Sequence, residues 1–130
     1  MRMRTIKPEL WDQDAFKKLS IGAKLLWIWL QNYADDYGMF LDSIGDIESS
    51  IKLGGDNINR RQIKKWLREF HDLAMIARFE YGSRNLCYIC KWNEMQKVNH
   101  KSKPKFIHKS DIKYVMNSLI GECDKGCFEG

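Results

Sequence analysis

The sequence predicts an α+β fold that is mainly helical, and three observations lead to this prediction. Apolar residues recur at helical spacing in several segments. Two of these segments are separated only by a polar, glycine-containing turn. The second is followed directly by strand-like segments at residues 75–81 and 84–92, joined by the two-residue loop Gly82–Ser83, which suits a type II′ hairpin turn. This order describes a winged helix-turn-helix with a two-stranded wing and, beyond it, a C-terminal basic tail and helix.

Length and composition exclude several classes of protein. The chain of 130 residues is long enough for one domain with its own core, and 44% hydrophobic residues exclude a disordered chain. Residues 1–11 contain no apolar run that could act as a secretory signal. The longest apolar run, residues 25–30, is far shorter than the ~20 residues that a membrane helix needs. We therefore expect a cytoplasmic protein with no membrane partner, in which the four cysteines are reduced thiols.

The first long helix is predicted from its cap, Ser20, to about Ala34. Its apolar residues at helical spacing, and the two that widen this face, are Leu25, Leu26, Trp29, Leu30 and Tyr33 with Trp27 and Ile28. Because they cover so much of the circumference, we expect the helix to be buried on several sides. The acidic turn Asp35–Gly38 ends it, and residues 39–41 form a brief strand.

Three further helices are predicted from apolar spacing and capping signals. A short helix is predicted over residues 43–52 and a break over residues 53–57. Asn59 and Gln62 form a capping-box pattern, which predicts a helix from residue 60 to about residue 71. The last helix is predicted from Ser110 to a stop at Gly121. The domains are thus a winged-helix domain over residues 1–107 and an amphipathic helix with a disordered end over residues 108–130.

The net charge of +5 is concentrated in two segments. Residues 57–71 carry +4 and residues 91–113 carry +5, which leaves −4 for the rest of the chain. Four cations of the first segment share one helix face, opposite the apolar stripe: Arg61, Lys64, Lys65 and Arg68. The second helix of a helix-turn-helix enters the major groove, so a basic stripe there favours DNA. The alternative is a merely solvated helix face.

The candidate DNA-binding residues lie in the helix, the wing and the tail. They are Arg60, Arg61, Lys64, Lys65, Arg68, Arg78, Arg84, Lys97, Lys101, Lys103 and Lys105. The tail lysines are placed to bind phosphates without reading sequence, and the alternative is a flexible linker. The basic N-terminal residues stand beside Pro8 and Trp11, which favours docking on the core.

The cysteines allow a zinc site only in principle. Cys87 and Cys90 are spaced C-x-x-C, while Cys123 and Cys127 are spaced C-x-x-x-C. On the predicted strand, however, residues i and i+3 point to opposite faces, whereas a zinc knuckle needs a tight turn. We therefore predict that Cys87 and Cys90 are small buried hydrophobic residues or half-exposed thiols, and that no metal is bound.

No catalytic constellation is evident in the sequence. Gly54–Gly55 is not followed by the Lys-Ser/Thr of a phosphate loop. The acidic residues Asp35, Asp36 and Asp42 could bind a hard cation, but ending a helix and lining a turn is the simpler role. We predict a protein that is not an enzyme and has no cofactor.

The segment Met3-Arg4-Thr5-Ile6-Lys7-Pro8-Glu9-Leu10-Trp11 resembles the opening of phage replication-initiator (replisome-organiser) proteins, whose N-terminal domain is a winged helix related to the DnaD-type primosome proteins. Residues 20–30, followed by 32–38, are similar to that family's first long helix and its acidic, glycine-ended turn. Five residues are similar to its motif after the wing: Trp92, Gln96, Val98, Asn99 and Pro104. The resemblance covers roughly residues 1–107.

The resemblance implies a DNA-binding domain that initiates phage-type DNA replication in the cytoplasm of a bacterial host. It also implies replisome or helicase-loader proteins as partners, and a homodimer is a further expectation. The helix over residues 60–71 is more basic here than in many relatives, so the DNA contacts named above rest on the charge of this chain. The alternatives are a protein-interaction or oligomerisation module of a replisome, and a transcription regulator of the same fold.

Overall fold

The computed structural model describes residues 1–51 and 58–129, with side chains as far as residue 123. Its fold is α+β, about half helical, with a small antiparallel sheet. The elements are α1 (Asp14–Lys17), α2 (Ile21–Tyr33), β1 (Met39–Leu41), α3 (Ile44–Ser50), α4 (Arg60–Asp72), β2 (Ile76–Tyr81), β3 (Arg84–Ile89), α5 (Trp92–Met95) and α6 (Ile112–Glu129). Short 3₁₀ helices at Pro8–Asp12 and Lys109–Asp111 precede α1 and α6.

The predicted hairpin is confirmed, and it forms most of the sheet. The strand order is β1-β3-β2, so that β3 pairs with both neighbours. Gly82 has a φ of 63° while Ser83 keeps a negative φ, which is the backbone of a type II′ turn. β3 ends at Ile89, earlier than predicted, because Lys91 adopts a left-handed conformation (φ 61°) and Trp92 begins α5.

Local caps explain why the two long predicted helices begin where they do. The Ser20 hydroxyl accepts a hydrogen bond from the backbone N–H of Ala23 (3.3 Å) at the start of α2. Asn59 and Gln62 exchange both hydrogen bonds of a capping box at the start of α4. These predictions are therefore confirmed, while the predicted break at residues 53–57 lies outside the described residues.

Helices α2 and α4 pack together in the core. Trp27 of α2 meets Phe70 of α4 edge to face, with ring centroids 5.2 Å apart, and both side chains are buried. The predicted apolar stripe of α4 is buried along its length: Ile63, Trp66, Leu67 and Phe70. The expectation that α2 is buried on several sides holds except along one edge, where Ile21 and Leu25 are 79% and 49% exposed. The other residues of the helix are buried or half-buried.

A disulfide joins Cys90 and Cys123, which corrects the expectation that all cysteines are reduced thiols. Cys90 follows β3, Cys123 lies on α6, and their Cα atoms are 5.8 Å apart in a buried position. The two residues are separated by 33 positions in sequence, and restricting an unfolded loop of that length is worth about 4 kcal/mol in the chain-entropy model. Spacing alone does not predict this pair, since it depends on how α6 docks.

The C-terminal helix is longer than predicted. α6 runs to Glu129, so the predicted stop at Gly121 is wrong. The predicted cap is also wrong, because the backbone N–H of Ser110 donates to the side chain of His108 (3.3 Å) at the preceding 3₁₀ helix. α6 packs against β2, with Leu119 buried, and these contacts offset the cost of about 1 kcal/mol that a glycine carries inside a helix.

Gly38 is the tightest point of the acidic turn, and it generates a stability prediction. Its φ is 79°, and a Cβ placed there would lie 2.6 Å from the buried ring of Trp92. We expect Gly38→Ala to lower the free energy of unfolding by about 2 to 4 kcal/mol, because a left-handed backbone and an overlap with Trp92 are both costly. Urea denaturation followed by circular dichroism measures this change.

Gly45→Ala is the matched control for this substitution. Gly45 lies in α3, where the nearest atom of the described residues to an added Cβ belongs to Arg60 at 3.7 Å, an ordinary van der Waals distance. We expect this variant to be more stable than the wild type by about 0.5 to 1 kcal/mol, because alanine is the better helix former. Similar midpoints for the two variants would contradict the turn geometry.

Candidate nucleic-acid interface

Helix α4 has one buried apolar face and one exposed cationic face. The apolar stripe packs into the core, and this packing fixes the direction in which the opposite face points. The four cations predicted to share that face are all exposed: Arg61, Lys64, Lys65 and Arg68. Within the part of the chain that the structure describes, none of the four is in an ion pair. We call these four residues the α4 cationic face.

Arg60 stands at the start of α4 and differs from the four residues of the cationic face. Its Nε lies 3.0 Å from a carboxylate oxygen of Glu48 on α3. The pair joins the two helices of the predicted helix-turn-helix, and the Arg60 side chain stays mostly exposed. An exposed pair of this kind adds at most about 1 kcal/mol to stability, so it leaves Arg60 able to contact an anion.

The two arginines of the predicted wing, which is the β2–β3 hairpin, have partners within the chain. Arg78 of β2 is half-buried, and its Nε lies 3.2 Å from Oδ2 of Asp42, which follows β1. Arg84 of β3 donates to the backbone carbonyl of Phe106 (3.2 Å) and stacks near its ring. Both residues therefore support tertiary contacts, Arg78 within the sheet and Arg84 between the wing and the tail.

The tail is bound along the acidic turn rather than forming a free linker. The backbone N–H of Ser102 donates to Asp36 (2.9 Å), and that of Lys105 donates to Asp35 (3.3 Å). Because the backbone makes these contacts, the side chains are left for other partners. The predicted phosphate-binding lysines of the tail are all exposed: Lys97, Lys101, Lys103 and Lys105.

Asp36 is a buried carboxylate on which several segments converge. It forms ion pairs with Arg2 and with Arg4, whose Nη1 lies 3.1 Å from Oδ1, and its backbone carbonyl accepts from Nε1 of Trp92 (2.9 Å). Burial raises its pKa, but the hydrogen bonds from Ser102 and Arg4 and the charge of Arg2 more than offset this effect. The pKa of Asp36 therefore lies below its ordinary value, and the residue stays ionised.

The Arg4 side chain joins the N-terminal segment to the core. The Arg4 side chain, which forms an ion pair with Asp36, is only 3% exposed. It donates to the backbone carbonyls of Gln31 and Ala34 (3.0 Å each) at the end of α2, and it lies over the ring of Trp92. Docking of the N-terminal segment is thus confirmed, although Trp11, expected to take part in it, is 57% exposed.

At Asp35, in contrast to Asp36, burial has the larger effect on the pKa. Burial raises its pKa above the ordinary value, although its carboxylate accepts hydrogen bonds from the backbone N–H groups of Met39, Tyr37 and Lys105. The turn therefore combines Asp36, whose pKa is lowered, with Asp35, whose pKa is raised. Both act as hydrogen-bond acceptors that end α2 and line the turn, the simpler of the two roles considered for them.

The C-x-x-C cysteines do not form a common site. Cys90 is bonded to Cys123, while Cys87 is a buried free thiol on β3. Burial raises the pKa of Cys87 well above its ordinary value, so the thiol stays protonated near neutral pH. A buried, protonated thiol is neither a metal ligand nor a nucleophile.

The predicted site residues are brought together only in part. Arg84 joins the wing to the tail, and the ammonium group of Lys101 lies 4.8 Å from the ring centre of Tyr37. Sequence reasoning missed Glu48 as the partner of Arg60 and missed the convergence on Asp36. Of the motif residues after the predicted wing, Trp92 carried a signal for the latter, since its Nε1 donates to the backbone carbonyl of Asp36.

Comparison with known proteins does not indicate a function for this chain, so the proposal below is argued from its geometry. No family model, curated protein or solved structure matches the chain. None of the described helices is both long and apolar enough to cross a membrane. Among the described residues, no three His, Cys, Asp or Glu side chains are grouped closely enough to hold a metal ion.

The Asp36 pair generates a pH-dependent prediction. Asp36→Asn leaves the buried Arg4 guanidinium without its counter-charge, and we expect a loss of about 3 to 5 kcal/mol in the free energy of unfolding at pH 7. Because the pKa of Asp36 is lowered by folding, its contribution is present above the ordinary pKa and is lost as the pH falls through the folded value. The difference between wild type and variant should therefore shrink below about pH 4.

Urea denaturation at a series of pH values measures this difference. Asp12→Asn is the matched control, because Asp12 is exposed and in no ion pair among the described residues. We expect it to change stability by less than about 0.5 kcal/mol at neutral pH. A constant difference between wild type and Asp36→Asn across the acidic range would show that the charge of Asp36 is not responsible.

Proposed function

We propose that this chain is a winged-helix domain that binds duplex DNA through the α4 cationic face. The order of helix, strand, two helices and hairpin supports this assignment. The single observation that carries it is the placement of Arg61, Lys64, Lys65 and Arg68 on the exposed side of a helix whose other side is buried in the core.

The dimensions of α4 suit a major groove. A helix of 13 residues is about 20 Å long, and the groove of B-DNA is about 12 Å wide, which admits one helix. In this arrangement the lysines neutralise phosphates along the groove edges. Arg61 and Arg68 offer planar donor groups that suit phosphate or the O6 and N7 atoms of guanine.

The tail extends the proposed interface, and the wing arginines contribute less to it. The exposed lysines between residues 97 and 105 are placed to bind phosphate without reading bases. Arg84 remains exposed and is retained as a phosphate contact. Arg78 is half-buried and paired with Asp42, so its charge is already largely balanced within the chain.

The resemblance of residues 1–107 to phage replication initiators supports a role in starting DNA replication in a bacterial cytoplasm. A helicase loader or another replisome protein is then the expected protein partner. A transcription regulator would use the same fold and the same α4 cationic face. The DNA-binding experiment below tests the interface that both roles share.

The test is charge reversal on α4 under varied salt. We expect the double substitution Lys64→Glu and Lys65→Glu to weaken duplex binding by at least tenfold, because two phosphate contacts become repulsive. The slope of log affinity against log salt concentration should fall by about 2, one for each lost contact. Fluorescence anisotropy with a labelled duplex at several salt concentrations measures both quantities.

Lys17→Glu with Lys18→Glu is the matched control. Both lysines are exposed, belong to or directly follow α1, and give the same change in net charge. We expect this variant to keep nearly the wild-type affinity and salt slope, since general attraction alone is altered. Equal losses for the two double variants, or no duplex binding by the wild type, would reject the assignment.

A second candidate function is a protein-interaction module, and exposed apolar residues on the α2 side favour it. Ile21 and Leu25 lie one helical turn apart and are 79% and 49% exposed. By contrast, α6 packs on β2 of its own chain, and Leu119 of its apolar stripe is buried while Ile120 is 42% exposed. If α2 pairs two copies, sedimentation velocity should show a dimer that is lost in the double variant Ile21→Glu, Leu25→Glu. A wild-type protein that stays monomeric at high concentration would contradict self-association.

A further inference from the structure

A groove of about 460 Å³ lies between the end of β2 and α6. Contacts at two points fix α6 beside the sheet. The hydroxyl of Tyr81 donates to the carboxylate of Asp111 and accepts from the backbone N–H of His108 (3.2 Å), just before α6 begins. Further along the helix, the disulfide from Cys123 to Cys90 joins α6 to the residue that follows Ile89, the end of β3. The groove is therefore a preformed feature of the fold.

The residues that line the groove place it along the outer side of β2. Three consecutive residues of the strand line it, Phe79, Glu80 and Tyr81, although neighbouring side chains point to opposite faces of a sheet. Their partners on β3 include Leu86 and Arg84, and no described residue of β3 lines the groove. A groove over one sheet face would contact β3 and miss residue 80. The groove therefore follows the free edge of β2.

This edge carries unpaired backbone groups. β2 is an outer strand and pairs only with β3. In an antiparallel pair, alternate residues bond to the partner strand, and the residues between them direct their N–H and C=O groups to the other edge. The N–H of Cys90 donates to the carbonyl of Met75 (2.9 Å), which fixes the alternation, so that Arg78 and Glu80 face the free edge. Within the described part of the chain, no backbone group outside the strand pair bonds to either residue.

The charge of the lining selects the kind of segment that fits. Three exposed acidic residues line the groove, Glu80, Asp111 and Glu122, and no Lys, Arg or His among the described residues does so. This local negative charge is opposite to the net charge of +5 of the chain. Aromatic rings are present as well, since Phe79 is half-buried and Tyr114 is 81% exposed. Carboxylates beside aromatic rings attract Lys and Arg side chains and repel the phosphates of a nucleic acid.

We propose that this groove binds an extended, basic segment of a protein partner, which adds a strand to the free edge of β2. The backbone of the segment would pair with the N–H and C=O groups of Arg78 and Glu80, as peptides do at other open sheet edges. Its alternate side chains would lie on the two faces of the sheet, with apolar ones against α6. The inference is independent of the proposed DNA binding, because none of these residues belongs to the α4 cationic face.

The test uses three peptides that separate backbone pairing from charge. The first is acetyl-Lys-Val-Lys-Val-Lys-Val-amide. The second has glutamate in place of each lysine, and the third keeps the lysines but carries N-methyl groups on its four central residues. We expect the first to bind at least about tenfold more tightly than either of the others, because the groove repels glutamate and N-methyl groups prevent backbone pairing. General attraction to the basic chain would favour the glutamate peptide instead.

Hydrogen exchange followed by ¹H–¹⁵N NMR locates the contact. In the free protein, we expect the backbone N–H groups of Arg78 and Glu80 to exchange faster than that of Phe79, which is paired with β3. Saturation with the lysine peptide should slow exchange at Arg78 and Glu80 by at least about tenfold and leave Phe79 nearly unchanged, because only the first two gain a hydrogen bond.

Charge reversal tests the groove itself. We expect Glu122→Lys to weaken binding of the lysine peptide about fivefold, because an attraction becomes a repulsion. Glu9→Lys is the matched control, since Glu9 is exposed, gives the same change in net charge and is in no ion pair among the described residues. The comparison of peptides on the wild type needs no substitution, so a variant that fails to fold does not affect it.

Several results would overturn the proposal. Equal affinity for the lysine peptide and its N-methylated form would show attraction by charge alone. Tighter binding of the glutamate peptide, unchanged exchange at Arg78 and Glu80 under saturation, or equal effects of Glu122→Lys and Glu9→Lys would also contradict it. Protection of the two amides that rises with protein concentration, without peptide, would assign the edge to a second copy of the chain instead of a partner. None of these results bears on the salt-dependent test of α4.

Discussion

The buried carboxylate of Asp36 is the interaction on which the rest of the structure most depends. Its side chain pairs with Arg2 and Arg4 and accepts from the backbone of Ser102, while its own carbonyl accepts from Trp92. A charge in so buried a place is tolerated only when it is paired and hydrogen-bonded. Satisfying this one residue therefore requires the N-terminal segment, the tail and α5 to meet at the end of α2.

This constraint separates the residues that build the domain from those that are free to bind. The residues that carry the resemblance to replication initiators include Arg4, Asp36, Trp92 and Gln96, and all four make tertiary contacts. The resemblance thus concerns architecture more directly than DNA contact. The proposed function rests instead on the α4 cationic face, whose side chains form no ion pair with any residue that the structure describes.

The elements that the sequence predicts well are those whose cause is local. Ser20 and the Asn59 capping box act within one helical turn, and Gly82 acts within one hairpin, so a short window of sequence contains the whole argument. A glycine that follows the last apolar residue at helical spacing predicts a helix stop at Gly121. The contacts that carry α6 past it, a disulfide and packing on β2, join residues far apart in the chain. Helical spacing likewise shows that Leu25 is apolar but not whether another element covers it.

The same distinction applies to the candidate site. The α4 cationic face is predictable because its spacing and the opposing apolar stripe lie on one helix. The partners of Arg78 and Lys105 are not, since Asp42 and Asp35 lie 36 and 70 residues away in sequence. A count of formal charge does not distinguish basic residues that are paired within the fold from those that are free to bind an acidic partner. Because Arg78 is paired within the fold, fewer basic residues remain for the proposed DNA contact. Among these, the residues of α4 are favoured by their position on one exposed helix face as well as by their charge.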